Sequence, residues 1–177
     1  MRRAIRTTPK SQSHANRGAH LERLVDMTNM QYQRQHKADI RKVPTPIKIM
    51  SVKGNRVNGV KQKAEWVDYS GIHEGQAIIF DAKETALESF PLKNIHKHQY
   101  ELLRSWHSKG AMAFLLISFS KKQYETYFLP FVYLYYWWNG AENGGRKSIP
   151  YEWIKEKCKQ VKSKDGYVLH YLDSLEG

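Results

Sequence analysis

The stretch VDYSGIHEGQAIIFDAKET, residues 67–85, leaves this chain less choice of fold than any other. VDYSGIH before Glu74-Gly75 and the apolar run QAIIF leading to Asp81 and Lys83 after it predict two antiparallel strands joined by a tight turn where glycine supplies a positive φ. A two-residue turn fixes the register, so His73 pairs with Gln76 and Asp68 faces Asp81. Facing residues stand about 4.5–5.5 Å apart at Cβ, and carboxylates roughly 5 Å apart repel by about 3 kcal/mol at an effective dielectric near 20. Alternation puts Lys83 on the side of Asp81 and sends Ile78, Phe80 and Ala82 to the other. One face is an apolar anchor; the other is a charge cluster that needs an offset. A salt bridge from Lys83 alone, a proton shared by the acids, or a divalent cation would each provide it.

The next segments set the surroundings. PLKNIHKHQYELLRSWHSKG predicts a helix from near Asn94 to Gly110, with Ile95, Leu102, Leu103 and Trp106 inward. Gln99 falls within that stripe, either as a hydrogen-bonded core amide or as an oxygen ligand for a hard cation such as Mg²⁺. AMAFLLISF, residues 111–119, is a continuous apolar run expected of a strand covered on both faces, parallel to 76–83 across the helix. A magnesium ion at Asp68 and Asp81 would polarise a phosphodiester and acidify a water, with Lys83 orienting that water or neutralising charge at phosphorus. Glu22, on a helix expected from Arg17 with Asn16 as its cap, would hold a bound water or a second ion.

Charge names the class of partner. Lys and Arg number 29 against 17 Asp and Glu, a formal charge of +12, which favours polyanions. Seven cations and no acid lie within 41–63: Arg41, Lys42, Lys48, Lys53, Arg56, Lys61 and Lys63. Pro44, Pro46 and the KGN and NGV turns make this a projecting basic ribbon suited to nucleic acid. Residues 1–16 hold four cations and no acid, and read as a flexible basic arm. Lone Cys158 forms no internal disulfide and fits a reducing compartment, the cytoplasm. The apolar runs fall short of the roughly 20 residues that span a bilayer, so no membrane is expected. Further on, QYETYFL reads as a strand, FVYLYYWWNG as a buried helix or an aromatic subunit contact, and 150–161 as a short helix. YVLHYL reads as a final edge strand. His96 and His98, two apart on a helix, are expected to point apart at the surface.

Asp68 followed by Asp81-Ala82-Lys83 matches the PD-(D/E)XK nuclease pattern. In order and at similar spacing, NRG (16–18), LE (21–22), PTP (44–46), DYSGI (68–72), AKET (82–85), FPL (90–92), HKHQ (96–99) and GRKSI (145–149) resemble the RecU family of Holliday-junction resolvases. The resemblance covers about residues 16–150, and nothing is inferred after Pro150. It implies an α/β, restriction-endonuclease-like fold: a mixed β-sheet flanked by helices, one nuclease domain over 17–177, with a protruding stalk inserted at about 44–64. It also implies a homodimer that cleaves four-way DNA junctions with Mg²⁺, Mn²⁺ being a substitute. By resemblance Asp68, Asp81 and Gln99 are metal ligands, Lys83 stabilises the transition state, Glu22 is an active-site acid, and Arg17 contacts DNA. Lys42, Lys48, Lys53, Arg56, Lys61 and Lys63 form the basic DNA-binding set. Two positions depart from the pattern: Asp81, where glutamate is usual, and Trp66, where a small hydroxyl residue is expected.

The leading expectation is therefore a structure-selective endonuclease of recombination and repair, acting in the bacterial cytoplasm whether chromosome- or phage-encoded. Two rivals stand beside it. One is a junction-binding or remodelling protein of the same fold that cuts weakly or not at all. The other is a basic adaptor for nucleic acid or a recombinase, whose acidic cluster is only a salt bridge.

Overall fold

The computed structural model describes residues 19–62 and 65–175. The expected arm at 1–16, Asn16 as a cap, Arg17 and Lys63 lie outside the described residues. Within those described, ten strands and four helices follow one another: α1 (Ala19–Arg34), β1 (Ala38–Lys42), β2 (Ile47–Lys53), β3 (Arg56–Lys61), β4 (Tyr69–His73), β5 (Gln76–Thr85), β6 (Ser89–Pro91), α2 (Lys97–His107), β7 (Met112–Phe119), β8 (Glu125–Pro130), α3 (Phe131–Glu142), β9 (Ser148–Pro150), α4 (Tyr151–Lys157) and β10 (Lys159–Val161).

The main sheet has the order β1-β4-β5-β7-β8-β10. Only β5 and β7 run parallel; the other neighbours are antiparallel, so the sheet is mixed as expected. The β4–β5 turn sits on Glu74 (φ 50) and Gly75 (φ 78), and His73 pairs with Gln76 in the expected register. Gly71 is needed for a different reason. A Cβ there would meet the Asp39 carbonyl oxygen at 2.2 Å and the Ile40 Cα at 2.5 Å, so only glycine lets β1 close against β4.

Alternation along β5 divides the core. Ile78, Phe80 and Ala82 pack with Phe114, Leu116, α1 residues Leu21, Val25 and Tyr32, and the C-terminal Tyr171 and Leu172. Ile79 packs with Leu115 and Ile117 against Leu103 of α2 and Phe131 and Leu134 of α3. Tyr69 stacks on Phe80 at 4.9 Å, Phe80 on Phe114 at 4.6 Å, and Phe114 meets Phe128 at 4.3 Å. This aromatic ladder crosses four strands and holds β4, which follows Asp68, in one plane with β5, which carries Asp81.

β2 and β3 form a separate two-stranded ribbon, exposed along its whole length. The pairing, with a register shift between Ile49 and Ser51, places Lys48, Lys53 and Arg56 on one face. Ile47, Ile49, Val52 and Val57 share the other face with Lys61. Arg41 and Lys42 are not part of this ribbon: they belong to β1, an edge strand of the main sheet.

Three local expectations are corrected, and of the two alternatives for α3 the fully buried helix is set aside. α2 begins at Lys97 rather than Asn94, because Leu92–Asn94 is a single 3₁₀ turn and His96 caps the helix reciprocally with Gln99. His96 therefore lies outside the helix, and its ring stacks on that of His98 at 5.5 Å instead of pointing away. α3 buries only Phe131 and Leu134, leaving Val132, Tyr135 and Tyr136 exposed. YVLHYL is not an edge strand; that place is taken by β10. Side chains of α1 satisfy its backbone instead: Leu169 N–H donates to Thr28 Oγ1 at 3.1 Å, Val168 N–H to Gln31 Oε1 at 3.1 Å, and Leu172 N–H to the Tyr32 hydroxyl at 3.1 Å. No helix among the described residues is long and apolar enough to cross a membrane.

Candidate active site

Asp68 immediately precedes β4, and Asp81 lies on β5 one step beyond the last ladder pair, Tyr69 with Phe80. The Asp68 backbone N–H donates to Asp81 Oδ1 at 2.8 Å, and the Ala82 N–H to Asp68 Oδ2 at 3.3 Å. The two acids therefore fix each other on one side of the sheet. Lys83 Nζ reaches Asp68 Oδ2 at 3.4 Å and Asp81 Oδ2 at 3.6 Å. Structure and sequence agree that these three side chains share one cluster.

Its electrostatics are uneven. Asp81 is fully buried, and its Oδ2 has no hydrogen-bond partner among the described residues. Burial foremost pushes its carboxyl up to about 7; Lys83 opposes that and Asp68 adds to it. A buried carboxylate oxygen served by one ammonium 3.6 Å away is under-compensated, since that separation exceeds a good charge-assisted hydrogen bond. Such an oxygen beside a second carboxylate is the donor set a hard divalent cation takes. Among the described residues, no three His, Cys, Asp or Glu side chains converge as a metal cluster, so the candidate ligands are two acids and neutral oxygens. Gln99 lines the same cleft as Asp68. Its Oε1 accepts the His96 N–H at 3.1 Å, which leaves the second lone pair of that amide oxygen.

Glu22 is held by a neighbour the sequence assigned to DNA. Lys42 Nζ donates to Glu22 Oε2 at 2.7 Å and approaches Asp26 Oδ2 at 3.7 Å. The Glu22 hydrogen bond raises the Lys42 pKa more than burial lowers it. Asp26 and Tyr69 are participants that sequence reasoning missed. The buried Tyr69 hydroxyl donates to Asp26 Oδ1 at 2.7 Å and to the Glu22 carbonyl at 3.3 Å, tying α1 to the strand that follows Asp68. The signal for Asp26 was its position four residues after Glu22, on the same helix face. Glu84 was missed too. It points opposite to Lys83, and burial foremost raises its carboxyl pKa, with His20 and the Leu21 backbone opposing. Lys48, Lys53, Arg56 and Lys61 lie on the ribbon, away from this cluster in the fold's own sheet order.

A cleft of about 640 Å³ opens between the foot of the ribbon and Asp68. Trp66 stands at it, 39% exposed, with its ring edge-to-face against Trp106 at 5.5 Å.

Several known proteins are similar to this chain. The family model described as RecU, Recombination protein U, matches residues 16–177, extending through the region after Pro150 where the resemblance carried no inference. The Holliday junction resolvase RecU of Limosilactobacillus fermentum is 37% identical over 175 residues, covering 95% of this chain and 82% of that protein. The protein of the same name from Geobacillus kaustophilus is 38% identical over 149 residues, covering 80% and 74%. Among solved structures, Hjc, a Holliday junction resolvase of Archaeoglobus fulgidus, aligns with a TM-score of 0.41 at 12% identity, covering 65% of this chain and 78% of that one.

Proposed function

The chain belongs to the RecU (Recombination protein U) family, and from that premise we propose that it is a Holliday junction resolvase, an endonuclease that hydrolyses phosphodiesters at four-way DNA junctions. The observation that carries this reading is the paired grip of Asp68 and Asp81, with the Lys83 ammonium 3.4 and 3.6 Å from their oxygens. Asp68, Asp81 and Gln99 would hold Mg²⁺, or Mn²⁺ in its place. When bound, the ion supplies Lewis acidity at the scissile phosphate and its attacking water.

The residues of the chain do the rest. Lys83, anchored by both acids, directs its ammonium to where negative charge builds on the phosphoryl oxygens, and fixed charge of that kind acts mainly on the transition state. Glu22 supplies a further carboxylate at the edge, and Lys42 keeps it extended until a phosphate competes for the same ammonium. Lys48, Lys53 and Arg56 take phosphates of the junction arms, Lys61 serves on the opposite face of the ribbon, and Arg17 and Lys63 are proposed as further DNA contacts. The protein works as a homodimer, so that one site on each protomer nicks one of two opposed strands and the cuts separate the junction. It acts in the cytoplasm during recombination and repair, where a recombinase is a fitting partner.

Strand-by-strand mapping tests this reading. With Mg²⁺, a synthetic four-way junction should be nicked symmetrically on two opposed strands, while a duplex made from the same arms stays intact. An uncut junction in both Mg²⁺ and Mn²⁺ would exclude it.

A further inference from the structure

The cleft beside Asp68 has a chemistry that the hydrolysis of a phosphodiester does not require. Its volume, about 640 Å³, lies within the roughly 300–1,000 Å³ typical of small-molecule pockets. Val43, Pro44, Pro46 and Trp66 give it an apolar lining, and Thr45 and Gln62 provide polar groups. The charged side chains among the described lining residues are Glu65 and Asp68, both acidic, in a chain of formal charge +12. Asp68 is paired by Lys83 at 3.4 Å, and the described lining offers no cation to hold a further phosphate. A flat, uncharged aromatic ring with hydrogen-bonding edges fits it.

We infer that this cleft receives one unstacked nucleobase next to the scissile phosphate, with Trp66 as the stacking surface. The inference rests on the active site proposed above. Trp66 is suited to the role because a large aromatic ring is 39% exposed at the mouth of the cleft yet propped edge-on by Trp106, so it meets a ligand without first having to order itself. Stacking on an aromatic ring serves any base, since every base has a π face. Extruding a base from continuous duplex costs unstacking and unpairing, and the cost is least where pairing is already broken. At the branch point of a four-way junction stacking continuity is interrupted, so a base of a pair flanking it is extruded at lower cost than one inside continuous duplex. A base-accepting cleft next to Asp68 therefore gives the protein a local means of preferring branched over linear DNA, separate from the phosphate contacts of the ribbon.

The test uses the full chain and four-way junctions carrying a single abasic nucleotide, moved one position at a time through the nucleotides flanking the cut. Binding is measured in Ca²⁺, so no cleavage is needed, and cutting is measured separately in Mg²⁺. At one flanking position, base removal should weaken wild-type binding about fivefold or more. The same removal should cost Trp66→Ser less than twofold, and duplex binding should be the same for both proteins. Trp66→Phe, which keeps a smaller stacking face, should fall between them, and it carries the comparison if the serine variant is unstable in a thermal melt. Wild type indifferent to base removal at every flanking position, or Trp66→Ser as sensitive as wild type, overturns the nucleobase site. Base-dependent binding without cutting in Mg²⁺ supports this site and overturns the endonuclease reading. Cutting without base dependence does the reverse.

Discussion

Asp68 and Asp81 hold each other by exchange: the Asp68 N–H binds Asp81 Oδ1 at 2.8 Å, and the amide after Asp81 binds Asp68 Oδ2 at 3.3 Å. The exchange uses one oxygen of each acid for positioning. It leaves Asp81 Oδ2 buried, with no hydrogen bond from the described residues, a cost to the protein alone that a bound cation would offset.

That cost predicts a pH dependence. Burial raises the Asp81 carboxyl from 3.8 to about 7 in the folded protein, so the native state keeps a proton that the unfolded chain releases. The associated stability is full below about pH 4 and is lost as pH rises through about 7. In chelator, Asp81→Asn should melt above wild type at pH 8, and the gap should close toward pH 4. A gap that does not change with pH would contradict a buried, proton-retaining Asp81.

The facing acids and Lys83 were legible because a period-2 pattern broken by Glu74-Gly75 permits one register, and the aromatic rings of β4, β5 and β7 stack only in that register. What the sequence hid depends on distant partners. YVLHYL carries the β-like composition of a strand, yet Thr28, Gln31 and Tyr32 of α1 take its backbone donors, which no local pattern reveals. Lys42 looked like one more cation of the ribbon, and only the pairing of β1 with β4 brings it to Glu22 and Asp26. Gln99 was visible as an odd polar residue on the inner stripe; its second role, capping α2 through the His96 N–H, follows from a helix start that the sequence placed too early.

The Lys42–Glu22 pair should matter to cleavage more than to stability. Its side chains are 45% and 36% exposed, and pairs of that kind contribute about 0.2–1 kcal/mol. Lys42→Met should therefore shift the denaturation midpoint little while lowering junction cleavage through a misplaced Glu22. Equal cleavage by Lys42→Met and wild type would show that the pair does not position Glu22.

Neutralising Lys48, Lys53 and Arg56 together removes one face of the ribbon. Four-way-junction affinity should fall more than duplex affinity, and the salt slope should shrink by about 0.9 for each phosphate that is no longer neutralised. Titrations at several salt concentrations check this. An equal drop on junction and duplex would make the ribbon a general phosphate-binding surface.

Gly71→Ala should be among the most damaging single changes outside the charged cluster, because its Cβ would press on the backbone of β1 at Asp39 and Ile40. Overpacking of this kind costs about 1–3 kcal/mol or more. Urea denaturation should show that loss with Asp68 and Asp81 intact, and unchanged stability would mean that β1 yields without penalty.

As proposed above, two acids gripping each other across a β-hairpin would hold the catalytic ion at the scissile phosphate. The direct measurement is junction cleavage in Mg²⁺ by wild type and Asp68→Ala side by side, with junction binding measured in Ca²⁺. Cleavage should fall by at least about a hundredfold in the variant while binding is retained. Equal cutting by the two proteins would show that Asp68 has no part in the catalytic site.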